Sequence, residues 1–220
     1  MIPVEKQPAP NKFAERVTVK AKTFLAGSTS PGAREINSRP YWRDALQDLH
    51  KSYGRVCAYS ALWCPLDMAT VDHFIPINAL IFINPALAYD WENFRLASRS
   101  MNSEKHKFQD VVDPFLVEPG WFIMDFPSLM IRSGTDLSPE DREKVEASIR
   151  RLKLNEKEKY IEYRREFLKD YCELCRGSAG ITPALAHLEK KAPFIAYELK
   201  RQKLTNRIIH MMKYPKEARP

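Results

Sequence analysis

No run in this chain is apolar enough for long enough to span a bilayer, and no secretory leader is evident. The expectation is a soluble, cytoplasmic protein with no membrane partner. Cysteine is scarce, with four residues. In such a chain four thiols suggest zinc ligation or buried packing rather than a disulfide framework. There is no internal repeat and no extended low-complexity tract, which excludes a solenoid or a disordered linker. Neither a helix-turn-helix nor a zinc-finger pattern is evident, so no ready-made sequence-reading module is present.

What is there begins with length. A chain of 220 residues can bury a full core. The net charge of +7 is unevenly spread. Residues 1–137 hold fifteen basic and fifteen acidic side chains, residues 138–176 eleven and ten, and residues 177–220 nine and three. The excess therefore lies in the last segment, where Lys190, Lys191, Lys200, Arg201, Lys203 and Arg207 cluster. Such a tail grips phosphate, docks on an acidic partner, or is a solvated helix face.

The coarse pattern is α+β and mostly helical. Three prolines in the first dozen residues keep the start extended, and Asn11 can cap a helix running to about Leu25. Residues 27–38 read as a loop, and Ser38 and Pro40 start a helix whose Trp42, Leu46, Leu49 and Tyr53 form one stripe ended by Gly54. Strands are expected at residues 70–75 and 94–98, joined by a long apolar connection around Leu80 and Ile83 that either tucks under the hairpin or forms a docking surface. A further extended segment or short hairpin is expected to turn at Pro119-Gly120 and to bury Trp121, Ile123 and Phe126. Ser138 with Asp141, and Asn155 with Glu158, read as two helix starts, and Pro183 and Pro193 punctuate two more helices. Val145, Ile149 and Leu152 form the inner face of the first of these. Three segments result: residues 1–54, 55–110 and 111–220.

The chemistry concentrates between Val71 and Phe108, in VDHFIP, DWENFRLAS and RSMNSEKHKF. Phosphodiester hydrolysis at neutral pH needs a base for water and a divalent cation for the phosphate charge. His73 can be the base. Asp72 and Asn102 offer hard oxygen ligands of the kind magnesium takes. Neighbours on a strand point to opposite faces, so Asp72 and His73 can serve different tasks. His106, four residues after Asn102, falls on the same helical face. Taken alone, His73 reads as a structural histidine, Asn93 as a turn residue and Asn102 as a cap.

Taken together, in this order and spacing, these segments resemble the HNH nucleases, whose site is a two-stranded hairpin followed by a helix. The resemblance covers roughly a quarter of the chain, from about Arg55 to Phe108. It implies a metal-dependent endonuclease using magnesium or manganese, with His73 as general base and Asp72 and Asn102 as metal ligands. It makes Asn93 the residue that steadies the loop and orients the base, and His106 a candidate extra ligand. Lys105 or Lys107 would contact substrate phosphate, and Lys200, Arg201 and Lys203 would add a remote grip. The substrate is expected to be DNA ahead of RNA.

Many HNH proteins carry a zinc knuckle of two Cys-x-x-Cys pairs. Here Ser60 stands where the partner of Cys57 belongs, and Ser98 and Met101 occupy the second pair. Structural zinc is not expected in that knuckle. Cys172 and Cys175 recur with Ile161 and Leu168 at helical spacing and read as buried thiols, with a composite site from Cys57, Cys64, Cys172 and Cys175 as the alternative.

A looser likeness extends further. CAYS before VDHF, then LAYDWENFRLAS, VVDPF, GWF and RLKLN, resemble the HNH subunits of two-component antiphage systems of the Septu type, which work beside an ATPase subunit. That implies an ATPase partner and restrained cleavage. A stand-alone nuclease of a mobile element or restriction system, and an inactive scaffold on the same fold, stay open.

Overall fold

The computed structural model describes residues 1–28, 30–177 and 180–211. The fold is mixed, 54% helical, with two small antiparallel sheets. After an extended start, a wide helical turn at Ala14–Thr18 runs into α1 (Val19–Ala26), followed by α2 (Ala33–Asn37) and α3 (Leu46–Ser52). The first sheet pairs β1 (Ala69–His73) with β2 (Phe94–Ser98), with α4 (Ile77–Ile83) between them and α5 (Arg99–Lys105) directly after. The second pairs β3 (Phe122–Asp125) with β4 (Met130–Ser133). Five helices close the chain: α6 (Pro139–Arg151), α7 (Lys157–Arg176), α8 (Ile181–Lys191), α9 (Pro193–Arg201) and α10 (Arg207–Met211). Among the described residues no helix is long and apolar enough to cross a membrane.

Local chemistry explains most boundaries. Ser138 Oγ accepts from Asp141 N–H at 3.1 Å and donates to its carboxylate, and Pro139 supplies the first helical position of α6. The Trp42–Tyr53 stripe is core: Trp42 and Leu49 are buried, and Leu46 and Tyr53 half-buried. Gly54, at φ +60°, ends it. The stripe begins, however, as a 3-10 turn at Tyr41–Ala45 that carries no side-chain cap from Ser38. Asn11 likewise caps nothing, since the first helical turn has no side-chain cap bond.

Several expectations give way to tertiary packing. Asn155 does not cap α7; its amide grips Ile131 of β4 from both sides, accepting from N–H at 2.7 Å and donating to C=O at 2.6 Å. Its expected capping partner, the Glu158 side chain, lies outside the described residues. The 119–133 region is a second sheet whose hairpin turn is at 126–129, after β3 rather than before it. Consequently Phe122 and Met124 face the core, and Trp121 and Ile123 are half-buried, one residue out of the expected phase. Phe126 is buried as expected. The C-terminal run after Pro193 breaks at Lys203, φ +57°, giving α9 and α10 in place of one helix.

One hydrophobic core draws on all three sequence segments, from Val17 through Leu96 to Leu199. The C-terminal helices are joined to distant parts of the chain by specific bonds. Glu198, fully buried, accepts from Met124 N–H of β3 at 2.8 Å and binds Arg201 through both oxygens. At the end of α8, Lys191 C=O accepts from Trp63 N–H at 2.7 Å, and the Lys191 ammonium lies 3.7 Å over the Trp63 ring.

The second sheet also depends on a backbone contact that only glycine permits. A Cβ on Gly134 would stand 2.1 Å from the carbonyl oxygen of Gly120, which itself turns at φ +87°. Gly134→Ala is therefore expected to destabilise the fold by about 1–3 kcal/mol through overpacking. Urea denaturation checks this, and a midpoint matching that of the parent protein would contradict the contact.

Candidate functional site

β1 and β2 are short strands in register, Asp72 opposite Arg95 and His73 opposite Phe94. α5 starts without a loop because Ser98 caps it, its Oγ accepting from Met101 N–H at 3.2 Å. Hairpin and helix enclose a groove of about 280 Å³, lined by Asp72, His73, Asn78, Asn102, His106 and Lys107 among others. The structure thus places Asp72, His73, Asn102 and His106 along one groove.

His73 is half-buried, with Trp42 edge-on at 4.8 Å between ring centroids and Phe94 edge-on at 5.5 Å. Its Nε2 is 2.8 Å from Ala88 O. A carbonyl only accepts, so Nε2 carries the proton and Nδ1 keeps the lone pair of the neutral ring. Burial pushes the imidazole down to about 4, against a smaller upward pull from the Ala88 carbonyl. At neutral pH His73 is uncharged and able to accept a proton.

Asn93 holds the frame around that ring. Its Oδ1 accepts from Ile75 N–H at 2.8 Å, and its Nδ2 donates to Ile75 O at 3.1 Å and Leu87 O at 3.2 Å. This straps the turn beside Ala88 to the end of β1. The base is therefore positioned by a carbonyl that an amide holds in place.

Asp72 and Lys105 depart furthest from expectation. Lys105 is not a surface phosphate contact: its side chain is 0% exposed. Its ammonium donates to His73 O at 2.8 Å and Phe74 O at 3.1 Å, and lies 3.3 Å from both Asp72 oxygens. Asp72, 3% exposed, also accepts a 2.5 Å bond from the Tyr59 hydroxyl. Burial raises the Asp72 carboxyl above its usual range, opposed by Lys105 and Tyr59. Both partners donate, so the arrangement suits the carboxylate form. Tyr59 itself is pushed well up by burial and by Asp72.

Asn102 is half-buried on α5 and lines the groove. His106 is not on the helix but just past its end, at φ +47°, exposed, with Nδ1 accepting from Lys107 N–H at 2.8 Å. Its Nε2 is not used in that bond. The donors that could hold a divalent cation are thus Asp72, Asn102 and His106, two hard oxygens and an imidazole. Both Asp72 oxygens already face Lys105 and one also accepts from Tyr59, so an ion there would have to share them. Among the described residues no three His, Cys, Asp or Glu side chains are grouped to hold a metal. Cys57, Cys64, Cys172 and Cys175 accordingly do not assemble into one site. Cys172 is buried on α7 as its spacing predicts, whereas Cys175 is only half-buried.

The tail cations are partly committed. Lys200 pairs with Glu189 and Arg201 with buried Glu198, while Lys203 is exposed at the break after α9. Lys213, Lys216 and Arg219 lie outside the described residues. Two contributors escaped the sequence reading: Tyr59, visible only as part of CAYS, and Arg95, whose guanidinium binds Asp113 in a buried fork at 2.6 and 2.8 Å. The fork fixes the VVDPF segment on β2.

Comparison of the chain with protein-family models and with curated proteins returns no match.

Two predictions follow from the geometry. Lys105→Met leaves Asp72 buried without its countercharge and should cost about 3–5 kcal/mol at neutral pH. A raised folded-state carboxyl loses stability as pH rises from its unfolded value near 4 through its folded value. The deficit should therefore shrink on acidification, and Asp72→Asn should relieve most of it. Urea midpoints across pH measure this; a small, pH-independent deficit would contradict the buried pair. For His73, NMR titration of the imidazole should show a midpoint near 4. Its depressed value makes stability fall as pH drops from about 6.5 toward 4. A midpoint between 6 and 7 would refute the desolvated ring.

Proposed function

We propose that this chain is a metal-dependent HNH endonuclease that hydrolyses phosphodiester bonds of nucleic acid, DNA ahead of RNA. The observation that carries the reading is the shared groove. A neutral, carbonyl-tethered His73 opens onto the same space as Asp72, Asn102 and His106, all from one hairpin–helix unit. His73 Nδ1 takes the proton of the attacking water, and the nearby phosphate charge raises the basicity of the ring as substrate enters. Asn93 keeps the Ala88 carbonyl, and with it the imidazole, in place. Asp72, Asn102 and His106 would hold magnesium or manganese, which supplies charge stabilisation to the phosphate and the leaving oxygen when bound.

The looser likeness to Septu-type nuclease subunits supports an effector role in a two-component antiphage system with an ATPase partner, in the cytoplasm. One observation favours a second reading, an inactive nucleic-acid-binding scaffold on the same fold. Lys105 already neutralises Asp72, which a site without metal would also need.

Plasmid cleavage separates the two. Activity should require added magnesium or manganese and stop in excess EDTA. His73→Ala should reduce it by on the order of 10²–10⁴-fold, the range for loss of a general base, in a protein that circular dichroism shows to be folded. Cleavage by a folded His73→Ala protein at the parent rate would remove His73 as the base, activity persisting in EDTA would remove the metal-dependent HNH site, and no cleavage with either metal would leave the scaffold reading.

A further inference from the structure

The tip of α4 is the unexplained feature next to the groove. Phe82 is 87% exposed and Ile83 66%. Large apolar side chains left in water forgo burial, so an aromatic ring held outward at a groove edge calls for an occupant. The tip is firmly mounted. Leu80 is fully buried beneath it, which anchors the helix; Asn84 N–H donates to Leu80 O at 2.8 Å, and Asn84 Oδ1 accepts from Ala86 N–H at 3.0 Å.

Phe82, Ile83 and Ala79 form one wall of a cleft of about 450 Å³, with Lys107 and Gln109 across from them. This cleft shares Pro76, Asn78 and Lys107 with the His73–Asn102 groove, so the two adjoin. Among the described residues the lining contains one cation, two amides and no carboxylate. An aromatic face, amide side chains and an ammonium match the π-face, the polar edges and the phosphate of a nucleotide. A helix-docking surface would instead present a longer apolar stripe. In a paired duplex the base faces are already stacked, which leaves Phe82 only an unpaired base to cover.

We propose that the Phe82 tip of α4 is a base-stacking platform beside the cleavage groove, selecting nucleic acid with unpaired nucleotides. The inference rests on the nuclease reading above and adds the substrate class. Lys107 holds the adjacent phosphate, and the strand continues past Asn78 toward His73.

The test uses the full chain carrying His73→Ala, so that bound nucleic acid stays intact, with magnesium present. Fluorescence anisotropy compares a labelled single-stranded oligonucleotide with the same sequence fully paired. Adding Phe82→Ala should weaken single-strand binding by about 5- to 150-fold, the span of base–aromatic stacking. Duplex affinity should change by less than about two-fold, because Phe82 meets no open base there. Phe82→Tyr should restore the single-strand affinity, and 2-aminopurine in the strand should be quenched only when an aromatic ring is present. Because Phe82 is exposed, its removal leaves the core untouched.

Unchanged single-strand affinity in Phe82→Ala, with cleavage intact in the His73-bearing protein, overturns the platform and leaves the nuclease reading standing. Equal losses on single and paired strands overturn it as well. A shift in sedimentation without any change in nucleic-acid affinity identifies a surface for a second copy instead. If the parent protein neither cleaves nor binds any nucleic acid, both readings fall together.

Discussion

The Lys105 ammonium is the constraint around which the neighbouring elements are arranged. Taking an ammonium out of water costs several kcal/mol unless its donors are met. Here they are met by the Asp72 carboxylate and by the carbonyls of His73 and Phe74, where β1 ends. Tyr59 closes the other side of Asp72. The requirement joins three separate pieces of chain: the 55–64 loop, the end of β1 and the last turn of α5. Satisfying one cation thus sets the distance between strand end and helix, and with it the width of the groove.

The imidazole beside this knot is governed by the opposite rule. His73 is kept uncharged by apolar neighbours, Trp42 and Phe94 above all, and by the nearby ammonium. Its orientation depends on an amide two steps away, since Asn93 fixes the turn that carries the accepting carbonyl. Charge is concentrated on one neighbour of the dipeptide and excluded from the other. Alternation along the strand makes that division possible.

Much of the fold was legible because it follows from period and punctuation. The α3 stripe, the Ser138 cap, the hairpin strands and the buried thiol of Cys172 all obey local rules. That Asp72, His73, Asn102 and His106 fall along one groove follows from the hairpin and helix that their order suggested. What escaped notice is long-range. Lys105 sits among polar and charged neighbours in SEKHKF, and nothing local says that it points inward to Asp72. Asn155 has the look of a cap but binds a strand 24 positions away. The phase of β3, with Phe122 and Met124 inward, has no local signal, and the Met124 N–H is held by Glu198, 74 residues later. His106 leaves the helix because its backbone turns to φ +47° just after Lys105.

The bonds at the C-terminal helices bear on the order in which the chain acquires its shape during synthesis. Trp63, in the loop that carries Tyr59, bridges locally to Val56 but gives its N–H to Lys191 O and has its ring covered by the Lys191 ammonium. Met124 in β3 waits for Glu198 in the same way. A nascent chain long enough to expose the hairpin and α5 outside the ribosome still lacks the helices that seat that loop. Domains generally fold as units as they emerge, and here the bonds of His73, Asn93 and Lys105 stay within the hairpin–helix unit while those of Trp63 and Met124 reach the last helices. A chain cut short of the last helices would leave the Trp63 ring uncovered and the Met124 N–H without its carboxylate, beside a hairpin whose own bonds are local.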